Sequence, residues 1–227
     1  MKGQTPDSIP PSVVRRLTRY LTHIEDLMAL GKDWVASREL AEALGLTSST
    51  VRQDLSYLDF WGISKKGYRI PEFRKVLTHV LGVDSEWKLV VIGAGNLGRA
   101  LVLHDEFRQR GLNICGVFDN DPQKVGKKFG PLIVQRTAAL PSFATENHVD
   151  IGVISVPAPA AQAIADLLIA SRVRGILNLS LRHIVSPAWV SVVDTRIASS
   201  LMELCHSLKR DSTPKRPQPD AARAAKT

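Results

Sequence analysis

The residues whose spacing carries the most chemistry are Gly93-Ala94-Gly95-Asn96-Leu97-Gly98. They follow an apolar, β-branched run, Trp87 to Ile92, and lead into a segment of helical character reaching about Arg110. A second such run, Ile114 to Phe118, ends at Asp119, 21 residues past Gly98. In a dinucleotide-binding βαβ unit, a ribose-binding acid is expected about 20 residues past the glycines. Gly93 permits a tight turn, Gly95 lets a pyrophosphate approach the backbone, and Gly98 lets helix and strand pack closely. The helix N-terminus adds unpaired N–H groups and a partial positive charge. Asp119 would accept hydrogen bonds from the adenosine ribose and repel a 2′-phosphate, so NADH or NAD⁺ is expected rather than NADP.

A second set of residues suits phosphates and base edges. Between Ser48 and Lys75 stand Arg52, Lys65, Lys66, Arg69, Arg74 and Lys75 against Asp54, Asp59 and Glu72. Val51, Leu55 and Leu58 recur at helical spacing, leaving Ser48, Ser49, Arg52, Gln53 and Ser56 on the outward face of that helix. A shorter amphipathic helix with Ser37 as its N-cap precedes it, and Gly45-Leu46-Thr47 forms the turn. Helix, glycine-bearing turn and helix make a helix-turn-helix, with the second helix reading a major groove. Trp61 to Ile70 then reads as a β-hairpin wing with Lys65 and Lys66 at its tip and Tyr68 beside them. The expected partner is double-stranded DNA, with Ser37 and Tyr68 added to the candidate contacts.

These residues need scaffolds. A helix from Ser12 to Leu30 supports the helix-turn-helix, giving a winged-helix domain over residues 1–86. Further strands are expected at Leu132–Val134, Ile151–Val156, Ile176–Leu179 and Val190–Val193, with helices over Ala160–Ser171 and Ile197–Leu208. The fold class is therefore α/β, a winged helix followed by a Rossmann-type parallel sheet over residues 87–206. Val156, Pro157 and Asn178 end their strands and join the cofactor candidates.

Lys and Arg number 30 against 22 Asp and Glu, a net charge of +8. The stretch 207–227 holds 6 basic and 2 acidic residues and reads as a basic, disordered tail, so half the excess says nothing about the folded domains. No run approaches the roughly 20 apolar residues of a membrane span. The polar start, Met1 to Pro11, lacks a signal-peptide core. Cys115 and Cys205 lack metal-ligand spacing, which suits reduced thiols in a cytoplasmic protein without a metal. His104 and His183 have no partnered constellation, and no second domain supplies a catalytic residue, so nucleotide binding without turnover is expected.

The combination resembles the Rex family of redox-sensing transcriptional repressors over about Ile9 to Leu208. The resemblance rests on Val51-Arg52-Gln53-Asp54-Leu55-Ser56-Tyr57, Gly67-Tyr68, Leu81-Gly82, the glycine motif, Phe118-Asp119-Asn120-Asp121-Pro122, Val156-Pro157 with Ala160-Ala161-Gln162, and Gly175-Ile176-Leu177-Asn178. It implies a homodimer that exchanges its last helix, with NADH releasing operator DNA and NAD⁺ competing for the same site. The chain departs from the family pattern in four places. Asn178 continues as Leu179-Ser180-Leu181, the family's Asp and its following apolar residue align to Arg196-Ile197, its Tyr to His104, and its Arg to Thr22. Thr22, His104, Arg196 and Ile197 are thus switch candidates, and an altered response to NADH and NAD⁺ is expected. Two alternatives stay open: an NAD-dependent oxidoreductase with a helical appendage, and a Rossmann protein of the coenzyme A-binding type.

Overall fold

A computed structural model describes residues 9–211, with the side chains of residues 210 and 211 left aside. Among the described residues, contacts form two units, residues 9–87 with 104–113, and residues 88–103 with 114–211.

In the first unit, α1 (Pro11–Ala29) starts with proline in its first turn, where no intrahelical N–H is lost. It buries Val13, Leu17, Tyr20, Leu21, Ile24 and Leu27 along one face. α2 (Ser37–Leu44) and α3 (Ser48–Ser56) form the helix-turn-helix. The Thr47 hydroxyl caps α3 by accepting from the Thr50 N–H at 3.1 Å. Ser37 is not a cap: it is already helical, and Ala36 precedes it without a side-chain bond.

The wing also differs from expectation. Ile63 and Gly67 form a single bridge, closed by Ile63 N–H to Gly67 O at 2.7 Å and Gly67 N–H to Ile63 O at 2.9 Å. The following strand, β2 (Tyr68–Arg69), pairs antiparallel with β1 (Trp34–Val35), so the far side of the wing is stitched to the segment before α2. α4 (Ile70–Val80) then buries Ile70, Phe73 and Leu77 in the same core.

The second unit holds a seven-stranded sheet in the order β5-β6-β4-β3-β7-β8-β9. The strands are β3 (Trp87–Ile92), β4 (Leu112–Asp119), β5 (Lys128–Phe129), β6 (Leu132–Arg136), β7 (Ile151–Ile154), β8 (Gly175–Asn178) and β9 (Ser191–Asp194). β3 runs parallel to β7, β4 to β6, β7 to β8 and β8 to β9, while β5 is an antiparallel edge. Leu89 to Ile92 are buried without a break, as in a strand covered on both faces. α7 (Leu140–Asn147) and α8 (Ala161–Ala170) pack Leu140, Ala144, Ile164 and Leu168 into the core.

The expected helix after the glycines is two helices, α5 (Asn96–Val102) and α6 (Asp105–Gln109). Asp105 and Glu106 favour a fresh helix start, and His104 stands at the break rather than on α5. α6 groups with the first unit, where Arg110 pairs with Glu106 at 2.9 Å and with Glu25 at 3.1 Å. The last helix, α9 (Ile197–Asp211), runs into the stretch expected to be an unstructured tail. The rest of that tail, 212–227, lies outside the described residues.

Candidate functional site

β3 and β7 are the neighbouring strands from which the chain departs in opposite directions along the sheet, so the crevice beyond their ends is the switch point of the topology. Gly93 and Ser155 meet there. Gly93 has φ +111, and a Cβ on it would lie 2.5 Å from the Ser155 carbonyl oxygen. The Ser155 hydroxyl donates to the carbonyls of Gly93 at 2.9 Å and Ile92 at 3.1 Å, fixing the turn from the next strand. A Cβ on Gly98 would collide with the Gly93 carbonyl, so only glycine lets α5 approach this closely. Gly95 differs: a Cβ there would meet nothing within 4 Å. Gly95, Asn96 and Leu97 are exposed, and Gly95 caps α5 without a side-chain bond. This open approach to the start of a helix, bounded by two obligatory glycines, fits a pyrophosphate.

Asp119 closes the other side. Its Oδ2 accepts from the Ala94 N–H at 2.8 Å and from Lys124 Nζ at 3.2 Å, while Oδ1 accepts from the Asp121 N–H at 2.9 Å. Burial pushes the carboxyl's pKa up, but the Asp121 and Ala94 amides and the Lys124 ammonium outweigh it and hold the group below the ordinary carboxylate value. Asp119 therefore stays ionised and ties the glycine turn to the loop after β4. The sequence reading missed both Lys124 and Ser155. The signal for Lys124 was its place five residues past Asp119, on the turn that opens with Asp121-Pro122.

Val156 is half-buried and Pro157 exposed, both directly after β7. Asn178 has another task. Its side chain is buried, with Nδ2 donating to Arg182 O at 2.8 Å and to Asp194 Oδ1 at 2.6 Å, and Oδ1 accepting from the Ser180 N–H at 3.0 Å and Oγ at 2.7 Å. It folds the loop after β8 rather than offering a free amide to a ligand. His183, expected to lack a partner, lies 3.3 Å from Asp194 Oδ2. Gln162 secures the same loop, accepting from the Val185 N–H at 2.9 Å and donating to Val185 O at 3.1 Å.

The switch candidates fall in both units. Thr22 is exposed on α1, with its hydroxyl donating to Thr18 O at 3.3 Å. His104 stands 4.0 Å from Glu106 and against the Phe107 ring. Arg196 and Ile197 are exposed at the start of α9.

In the first unit, Ser49, Arg52 and Gln53 are exposed on α3, and Ser48 is half-buried. The Ser56 hydroxyl turns back to the Gln53 carbonyl at 2.7 Å. Tyr68, expected at the DNA face, is core: it is 8% exposed, and its ring packs beside Phe60 and Phe73. Between α3 and the wing lies a cleft of about 570 Å³ lined by Ser37, Arg52, Trp61, Ile63 and Lys65 among others. Arg52 reaches Ser37 Oγ at 3.5 Å, and Lys66 Nζ sits 5.5 Å above the Trp34 ring. Trp61 and Ile63 are 73% and 57% exposed, an apolar flank where the alternation predicts a strand.

Asp54 faces the other way. It is buried, bound by Arg16 Nε at 2.6 Å and Nη2 at 2.7 Å, and by the Tyr20 hydroxyl at 2.7 Å. Burial, followed by the Asp54 carboxylate, pushes the Tyr20 hydroxyl's pKa up. This acid pins α3 to α1 and takes no charge from the outward face.

Comparison with known proteins agrees with this layout. Residues 84–181 match the model of the CoA binding domain family, and residues 8–56 that of the putative DNA-binding protein N-terminus family. The redox-sensing transcriptional repressor Rex of Caldicellulosiruptor bescii is 37% identical over 201 residues, 88% of this chain and 93% of the relative. Rex 1 of Thermotoga maritima is 40% identical over 205 residues, 90% of this chain and 98% of its own. A crystal structure of the Rex-family repressor RSP with β-NAD⁺ and operator DNA superimposes with TM-score 0.84 at 32% identity, covering 89% of this chain and 94% of that one. RSP with β-NADH gives a TM-score of 0.83 at 32% identity, over 92% and 97% of the two chains. With a glycine turn and acid at the switch point of its sheet, a helix-turn-helix with a basic wing, and this identity along both units, the chain belongs to the Rex family.

Proposed function

We propose that this protein is a transcriptional repressor whose hold on operator DNA is set by which form of NAD(H) it carries, and that it is not an oxidoreductase. The observation that carries the nucleotide half is the open face of Gly95 between two glycines that tolerate no side chain. Gly93 to Gly98 would cradle the pyrophosphate, Asp119 would hold the adenosine ribose, and Val156 and Pro157 would border the crevice. The bound dinucleotide supplies the redox signal, because its nicotinamide ring is neutral when reduced and cationic when oxidised. Arg52 and Gln53 enter the major groove, while Lys65 and Lys66 neutralise phosphates from the wing.

The active form is a cytoplasmic homodimer that exchanges α9. In support, Ile197, Leu201, Leu204 and Leu208 of that helix are 54–69% exposed within one chain, an apolar stripe that needs a partner. Two copies of a winged helix would read an inverted repeat.

Among the described residues, no helix is long and apolar enough to cross a membrane. The switch positions differ from the family pattern here. Arg196 brings positive charge where the family pattern has an acid, and Asp194 is already committed to Asn178 and His183. The experiment is titration of the purified protein with NADH and NAD⁺. Saturable NADH binding that is lost in Asp119→Ala supports the reading. Hydride-transfer turnover without preference for any inverted-repeat DNA would replace it with the oxidoreductase.

A further inference from the structure

Asp119 is the residue through which the site accepts a ribose and rejects a 2′-phosphate, yet its carboxylate is not free. Oδ2 carries two donors, the Ala94 N–H at 2.8 Å and Lys124 Nζ at 3.2 Å, and an ionised carboxylate oxygen has about two lone-pair sites. Among the described residues Oδ1 carries one donor, the Asp121 N–H at 2.9 Å, which leaves one of its two lone-pair sites open. A ribose diol pairs best with a carboxylate when each hydroxyl donates to its own oxygen. As the residues stand, one hydroxyl has a vacancy and the other competes with Lys124.

Lys124 is built to leave. Its side chain is 41% exposed, and its ammonium is already 3.7 Å from Asp121 Oδ2. That oxygen is a ready second partner, since the Asp121 carboxylate is held in place through Oδ1 by the Gln123 N–H at 2.9 Å. The two backbone donors to Asp119 stay where they are whether or not the lysine moves. Arg136 also belongs to this end of the sheet, because its Cα is the register partner of Asp119 on β6. A lone carboxylate at this point would repel a phosphate strongly; one shadowed by an ammonium repels it less.

We propose that Lys124 is a specificity-determining residue of the nucleotide site: it covers the second ribose acceptor of Asp119 in the free protein and, by offsetting that carboxylate's charge, lets the site tolerate a 2′-phosphorylated dinucleotide more than Asp119 alone would. The proposal rests on the reading of Asp119 as the ribose acid. Lys124→Met removes the charge and keeps the stem, Lys124→Arg keeps the charge, and Asp119→Asn removes the group that the lysine shields.

The test is equilibrium titration of full-length protein with NADH and, separately, with NADPH, followed by nucleotide fluorescence. In Lys124→Met the ratio of NADH to NADPH affinity should rise roughly twofold to fivefold, about the worth of one partly screened charge. The rise should come from tighter NADH, weaker NADPH or both, and Lys124→Arg should restore the wild-type ratio. In Asp119→Asn the ratio should fall. A lysine that merely stabilised the loop would weaken both ligands alike in Lys124→Met, leave the ratio unchanged, and overturn the proposal. If the wild-type protein bound neither dinucleotide, the reading of the site itself would fail, which this experiment distinguishes from failure of the lysine's role.

Discussion

Gln53 and the wing lysines, proposed respectively to read bases and to neutralise phosphates, can be told apart by single substitutions. Replacing Lys65 by Ala should weaken binding to all DNA sequences by a similar factor and lower the slope of log affinity against log salt by about one, because one fewer counterion is released. Replacing Gln53 by Ala should instead relax the base preference, by about 1–3 kcal/mol at the position it reads, with the salt slope unchanged. Competition binding at several salt concentrations measures both. On the nucleotide side, Asp119 has its pKa depressed in the folded protein, so its contribution to stability is present above the ordinary carboxylate value and is lost as the pH falls through the lower folded value. Denaturant melts across the acid range should accordingly show a smaller loss of stability in Asp119→Asn than in wild type, with the two converging at low pH.

Among the elements, α3 depends on a bond that no surface view reveals. Asp54 is buried under Arg16 and Tyr20, so Asp54→Ala leaves a guanidinium and a hydroxyl without their acceptor. The expected cost is about 3 kcal/mol, at the lower end for a broken buried pair because Arg16 keeps 26% of its exposure. Thermal melts of the variant should show it, and DNA affinity should fall as α3 loses its seat. Periodicity made α1, α3, the central strands and the glycine turn legible, since each buries a continuous or regularly spaced apolar face. It missed β1 and β5, whose two residues are too few to show a pattern. It passed over α4 and α7, which each carry an early proline that reads as a break but suits the first helical turn. Tyr68 looks like a contact because an aromatic residue stands next to a basic turn, and its burial depends on Phe60 before the wing and Phe73 on α4 closing over it. The hydrogen bonds of Asn178 were equally hidden, because Asp194 comes from another strand.

For the whole molecule, the exposed stripe on α9 is the surface proposed to pair with a second copy of the chain. Leu204 and Leu208 lie 54% and 61% open in one chain, so sedimentation should report a dimer, and Leu204→Glu with Leu208→Glu should shift it toward monomer and reduce operator binding together. Two wings on one operator gain by linkage, which a monomer forfeits. Nucleotide and DNA binding are proposed to be coupled through this pair. This coupling is tested most directly by measuring the affinity of the full-length protein for an inverted-repeat operator in three states: without nucleotide, saturated with NADH and saturated with NAD⁺. Operator binding should be weaker with NADH than in the nucleotide-free state, and should differ between NADH and NAD⁺. The same affinity in all three states, with both nucleotides shown to be bound, would contradict the coupling.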